Sequence, residues 1–377
     1  MFFYLTYGEY ASGIYSSQVI DTCLEITTLS SDKFKLISFI SIKNFLKERH
    51  RLKHSYSPVI VLPSFPKMKY YNVNIIPLIL LCIYYKPNAI ICRNAIPTKL
   101  GLMLRNLKLI KKVIFDGRAA EYEQYVEYKL TNDSHFVNHI FQIEKESVKY
   151  ADFKIAVSQE LVNYWKLTFD YSQHNHTVIP CTLNSKHNEP TNTKTINRER
   201  CSYKNDDIIL IYSGSVAQWQ SFDLLIHFFE EQLINNKNIK IIFLCKETDA
   251  ILAFKNKYPT RVTQLWCNES EVYDYLSMAD YGILLRDNTY TNKVSSPVKF
   301  AEYLHAGLDV IISNEVGDFS KFVINHACGF VYDNQYLTLS SITNYKKKCN
   351  KELVEHYFNK KSPIITEKYN LLLENIR

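Results

Sequence analysis

Residues 281–313 read YGILLRDNTYTNKVSSPVKFAEYLHAGLDVIIS, and this stretch decides the fold. It opens with an apolar run, Tyr281–Leu285, of the length of a buried strand. Arg286 ends that run and a polar loop follows. Ser295-Ser296-Pro297 then has the form of a helix start, with serine before a proline at the first helical position. Val298–Ala306 carries apolar residues at helical spacing, and Val310–Ser313 is a second apolar strand. Strand, helix and strand in succession make a βαβ unit, which belongs in a parallel sheet covered on both faces.

The same alternation continues outward. Toward the C-terminus comes a strand at Gly329–Tyr332, and toward the N-terminus come strands at Ile208–Tyr212, Lys240–Cys245 and Val262–Trp266. Phe222–Leu233, Glu271–Met278 and Phe319–His326 read as their helices. Ahead of this series, TLNSKHNEPTNTKTINRERCSYKNDD at residues 182–207 is polar and reads as a linker. A first series precedes it, with strands at Phe2–Thr6, Lys35–Ser41, Pro58–Pro63, Ala89–Arg93, Val113–Asp116 and Phe153–Val157. Tyr15–Ile26, Thr98–Leu107 and Asn138–Tyr150 are its helices. The expected fold is α/β, with two Rossmann-like domains whose parallel sheets face each other across a cleft. The domains are residues 1–181 and 208–350, and residues 351–377 form C-terminal helices that pack back on the first domain.

Composition narrows the class. The 377 residues are 46% hydrophobic and 22% charged, which excludes disorder. Nine cysteines without a CxxC argue against a disulfide framework and a structural zinc site, and fit a reducing cytosol. The N-terminus lacks the basic start of a secretory signal. Val73–Tyr85 is the most apolar stretch, too short to span a bilayer, and reads as a buried helix. His135 and His139 are spaced to share a helix face but have no third ligand, and His174 and His176 read as part of a polar turn.

Charge is uneven. Residues 1–170 hold 22 Lys and Arg against 15 Asp and Glu, whereas residues 171–377 hold 23 of each. Residues 33–112 hold 16 basic residues and one acid, Glu48. A field of one sign attracts an anionic partner. An anionic membrane surface or a pyrophosphate-linked acceptor suits it, and nucleic acid does not, because no recognition motif accompanies the charge.

Open α/β sheets bind ligands at the carboxyl ends of their strands. The loop after Arg286 and the helix start at Ser295 and Ser296 offer backbone N–H groups to a phosphate. Arg286, Lys293 and Lys299 add positive charge, and Glu302, further along the helix, can accept from vicinal hydroxyls. These are the parts needed to hold a sugar nucleotide. Trp219 suits stacking on a base or sugar as well as covering the core. No D-x-D triplet, Walker loop or G-x-G-x-x-G occurs, so neither metal nor cofactor is expected.

SSPVKFAEYLHAGLDVIIS resembles the nucleotide-binding segment of glycosyltransferase family 4, whose fold is GT-B. IEKESVKYADFKIAVSQEL, VIPCTLN, IYSGSVAQWQSFDLLI and VIFDGRAAEYEQY are similar to other segments of that family, in the same order along most of the chain. The resemblance implies that Glu302 contacts the ribose and that Ser295 and Ser296 meet the diphosphate. It makes Gly214 and Ser215 the turn that admits the donor, and places Gly13 in the loop that closes over it. Asp116 and Arg118 stand where many members carry a histidine, as base or acceptor-orienting group and as phosphate ligand, with a local ion pair as the alternative. Glu121 and Glu123, just after them, read as solvated.

Two departures stand out. Val294 replaces the first glutamate of the family's E-x7-E, and residues 215–220 lack the usual cations, which Arg286, Lys293 or Lys299 would replace. The implied function is transfer of a sugar, with retention, from a UDP-sugar to a lipid-pyrophosphate-linked glycan. The implied setting is bacterial surface polysaccharide such as O-antigen or capsule, at the cytoplasmic face of the membrane. The alternatives are a catalytically weak partner subunit and a sugar-nucleotide epimerase on the same fold.

Overall fold

Along the first strand, β1 (Phe2–Tyr7), successive side chains point to opposite faces of a sheet. Phe2 and Tyr4 enter one apolar core, and Phe3 and Leu5 enter another. A strand buried on both faces needs cover on both, which helices linking parallel strands provide. The computed structural model describes residues 1–30, 32–56, 58–64, 67–183, 198, 201–268 and 271–377. Most of the expected linker therefore lies outside the described residues.

The chain divides into Met1–Ser185 with Lys360–Arg377, and Lys186–Asn359. The first unit continues with β2 (Phe34–Ser41), β3 (Val59–Ser64), β4 (Ala89–Arg93), β5 (Lys112–Gly117), β6 (Phe153–Ala156) and β7 (His176–Val178). Their order is β3-β2-β1-β4-β5-β6-β7, every pair parallel. The C-terminal helix Pro363–Ile376 supplies Ile365, Tyr369 and Leu372 to the core that holds Tyr4. The expected boundary after residue 350 falls inside the helix Asn344–Tyr357, which belongs to the second unit. His176, expected in a polar turn, lies in β7, a strand too short and polar to betray itself.

The second unit holds β8 (Ile208–Ser213), β9 (Ile239–Leu244), β10 (Val262–Leu265), β11 (Tyr281–Leu284), β12 (Asp309–Ser313) and β13 (Gly329–Tyr332). Their order is β10-β9-β8-β11-β12-β13, again parallel throughout. In each sheet the winding reverses once, between β1 and β4 and between β8 and β11. Such reversals open a crevice at the carboxyl ends of the two strands.

Val73–Tyr85 is not a buried helix. It forms the helix Ile75–Tyr85, which buries Leu78 and Cys82 and leaves a row of aliphatic side chains in solvent. Among the described residues, no helix is long and apolar enough to cross a membrane.

Candidate functional site

In the second unit the crevice begins at Gly214, the first residue after β8. Its φ of +145° is open to glycine alone, and a Cβ there would lie 2.8 Å from Lys299 Nζ. The bare turn thus makes room for the lysine. Lys299 donates to Gln220 Oε1 at 2.8 Å, and its ammonium sits 4.4 Å over the Tyr212 ring. Burial, then the neighbouring Arg286, lower its pKa well below the usual lysine range, and Glu302 opposes the shift. An anion placed there would be welcomed by both cations.

Arg286 is buried, two residues beyond β11. Its backbone N–H donates to Ser313 Oγ at 2.8 Å, and its guanidinium donates to the Trp219 carbonyl. The loop at residues 215–220 lacks a cation of its own, yet Arg286 and Lys299 both reach it from other elements. Tyr212 stiffens the loop from below, donating to the Ser215 carbonyl at 2.5 Å. Ser215 itself is exposed.

The helix Val298–His305 comes close to the sheet because β11 contains Gly282. A Cβ at Gly282 would fall 2.2 Å from Tyr303 Cγ. Tyr303 Oη accepts from the Ser213 N–H at 2.9 Å and so ties this helix to β8, just before the glycine turn. Glu302, on the same helix, is half-buried.

Some expected parts differ. Pro297 is the N-cap of the helix, not its first residue, and no side chain caps it. Ser295 Oγ instead donates to the Asn292 carbonyl at 2.8 Å, so the serine holds the preceding turn. Ser296 is buried. Lys293 turns to Glu315, 3.2 Å away, and to the Tyr290 ring. Val294, at the place of the missing glutamate, is 2% exposed.

In the first unit the crevice between β1 and β4 is lined by charge. Asp116, near the end of β5, is fully buried. It accepts from the Tyr4 hydroxyl, lies 2.8 Å from Arg118 Nε and 3.9 Å from Arg93 Nη1. Arg93 in turn donates through Nε to both oxygens of Glu9, at 2.9 and 3.0 Å. Burial disfavours the charge on Arg118, but the neighbouring Asp116 carboxylate leaves its pKa raised overall. Asp116 is thus enclosed by partners, a geometry for orienting Arg118.

Glu121 is not solvated as expected: it accepts from the Ala95 N–H at 2.5 Å, at the start of the helix Ala95–Asn106. Burial and the nearby Glu9 push its carboxyl up to about 7, against the pull of that hydrogen bond. Gly13 begins the helical segment after β1, where Ser12 Oγ accepts from the Tyr15 N–H at 3.2 Å. His139 stacks on Tyr71 and shares a 3.0 Å hydrogen bond with its hydroxyl.

Sequence reasoning missed Arg93, Glu9 and Gln220. Arg93 had a signal: it is a cation at the carboxyl end of an otherwise apolar strand.

No family model matches the sequence, and no curated protein matches it. Solved structures do. Sucrose-phosphate synthase from Thermosynechococcus elongatus is 14% identical with a TM-score of 0.69, over 100% of this chain and 98% of that one. The fold is GT-B. HepE of Anabaena, solved in complex with UDP, is 11% identical with a TM-score of 0.67, over 100% and 99%. The pneumococcal O-GlcNAc transferase GtfA, solved with UDP and GlcNAc, is 12% identical with a TM-score of 0.62, over 100% and 98%. At such identities the likeness establishes architecture and leaves family and substrate to the residues.

Proposed function

We propose that the protein is a glycosyltransferase that moves a sugar from a nucleoside diphosphate sugar, a UDP-sugar, to a glycan acceptor with retention at the anomeric carbon. The observation that carries the reading is the pair Arg286 and Lys299, gathered on a cation-free loop beside the Gly214 turn. When the glycosidic bond to the nucleotide breaks, negative charge grows on the departing diphosphate. Fixed cations and the backbone N–H groups at the start of the helix Val298–His305 stabilise that charge without reorganising. Glu302 accepts from the ribose hydroxyls, and Ser295 and Ser296 line the diphosphate.

On the acceptor side, Arg118, oriented by Asp116, suits an anionic group such as the pyrophosphate of a lipid-linked glycan. Surface-polysaccharide assembly of the O-antigen or capsule type is the setting that fits such an acceptor, at the cytoplasmic face of the membrane. This part of the reading rests on the resemblance in sequence.

The test is calorimetric titration with UDP, GDP and CMP. UDP is expected to bind, and Glu302→Ala to weaken it by about tenfold to a hundredfold, the range of a lost hydrogen bond to a charged group. No binding of any of the three would overturn the reading. A second reading is supported by the buried, apolar Val294 at the place of the first glutamate. It makes the chain a nucleotide-binding partner subunit of another transferase. UDP binding without release of UDP from any UDP-sugar and acceptor would favour it.

A further inference from the structure

The helix Ile75–Tyr85 has the sequence IIPLILLCIYY, apolar on every side. A helix of that kind is normally covered all round. Here Leu78 and Cys82 pack into the core of the first sheet. Ile76, Leu80, Ile83 and Tyr84 do not, and are 59%, 63%, 56% and 77% exposed. Their spacing places them in one stripe along the helix. Val73, just ahead of the helix, is also exposed.

Charge sits at the ends of this stripe and not along it. Between Lys69 and Lys86 the sequence holds no charged residue. Lys67 and Lys69 stand exposed at one end and Lys86 at the other. Lys69 also meets Asp133 at 3.4 Å, an exposed pair of small consequence. Lys35 lies 4.9 Å over the ring of Tyr85, which meets Tyr84 edge to face at 4.6 Å. Within residues 33–112 the single acid, Glu48, is 5% exposed and turned inward, accepting from the Ala11 N–H at 3.0 Å and from Arg51 at 3.1 Å. The segment is therefore basic in its sequence, and Lys35, Lys67, Lys69 and Lys86 are the cations that the fold places at the stripe.

We propose that this face docks on an anionic lipid bilayer. The stripe from Ile76 to Tyr84 enters the boundary of the acyl chains, and the flanking lysines meet headgroup phosphates. At 11 residues the helix is about 16 Å long, against a hydrocarbon thickness of about 30 Å, so it lies in the interface and does not cross. Tyrosines and long lysine stems suit that depth, with an apolar body and a polar tip. A second copy of this chain fits poorly, because it would bring the same basic surface against itself. An anionic bilayer offers apolar depth and negative charge together. The inference is independent of the transferase reading, since docking needs no turnover.

The test is flotation of the full chain with vesicles of phosphatidylcholine alone and of phosphatidylcholine mixed with phosphatidylglycerol. The chain is expected to float with the mixed vesicles, and less so as salt rises. Leu80→Glu with Ile83→Glu is expected to weaken that binding by more than about tenfold, with melting temperature and UDP affinity unchanged. Lys67→Glu with Lys86→Glu is expected to weaken it in the mixed vesicles alone. The proposal is overturned if the unaltered chain stays with neither vesicle, or if the Leu80 and Ile83 variant floats as well as the unaltered chain. It is also overturned if sedimentation equilibrium finds a dimer that the same pair of substitutions dissociates.

Discussion

Replacing Gly214 by alanine isolates the contact on which the proposed donor site depends. The added Cβ would stand 2.8 Å from Lys299 Nζ, so the lysine head must shift from its place beside Gln220. The backbone carries a second penalty, because φ +145° is a region closed to alanine. Strain of that kind costs about 1–3 kcal/mol, offset by about 0.4–1 kcal/mol from a less flexible unfolded chain. A net loss of about 1–2 kcal/mol in a unit of this size lowers its melting temperature by about 2–8 °C.

Ligand binding separates the two effects. Where Lys299 meets the diphosphate, displacing it weakens UDP by about tenfold to a hundredfold in calorimetry. In a Lys299→Ala background the new methyl group meets no ammonium. Gly214→Ala is then expected to keep its effect on melting and lose its effect on UDP, a coupling of about 1.5–3 kcal/mol in the double-mutant cycle. Equal weakening of UDP in both backgrounds would refute the role given to that contact. An unchanged melting temperature in the single variant would refute the strain.

Two further substitutions probe the first unit. Asp116→Asn removes the charge shared by Tyr4, Arg93 and Arg118, and is expected to cost about 3–5 kcal/mol of stability, read in a thermal melt. Loss of turnover with an unaltered melt would instead make Asp116 a reacting group. Glu121→Gln addresses pH. With its carboxyl raised from 4.5 to about 7, the folded chain keeps a proton there that the unfolded chain has lost, so stability falls as pH rises through that window. The variant is expected to remove up to about 3 kcal/mol of that decline, measured by denaturant unfolding between pH 5 and 8 at steps of about half a unit; an unchanged slope would refute the shifted carboxyl.

The order of the elements was legible in the sequence because both sheets are parallel and doubly covered. Twelve strands could be placed from apolar runs, and β7 escaped because His176–Val178 offers only three residues, one of them charged at low pH. Of the candidate site in the second unit, Arg286 and Lys299 were readable from their places after a strand and on the helix, and Gly214 from the resemblance alone. Which cation reaches the loop was not readable. Lys293 and Lys299 are both near the helix start in sequence, but only packing sends one to Glu315 and the other to Gln220. Gln220 gave no signal, since its role depends on a lysine 79 positions away. Glu9 was hidden for the same reason, since its partner Arg93 lies 84 positions away and is joined to it only by the adjacency of β1 and β4.

The helix Ile75–Tyr85 shows where pattern reading fails in principle. Periodicity locates a buried face by contrast with a polar one. IIPLILLCIYY has no polar face, so its sequence cannot say which side the protein covers, or whether it covers both. The length and the absence of charge pointed to the core, and half of that is right: Leu78 and Cys82 are in it. The other half is a surface with no contrast of its own, bounded by Lys69 and Lys86. A chain gains nothing in folding from exposed isoleucine and leucine at Ile76, Leu80 and Ile83. Their presence between exposed lysines is therefore an argument about what meets that surface from outside.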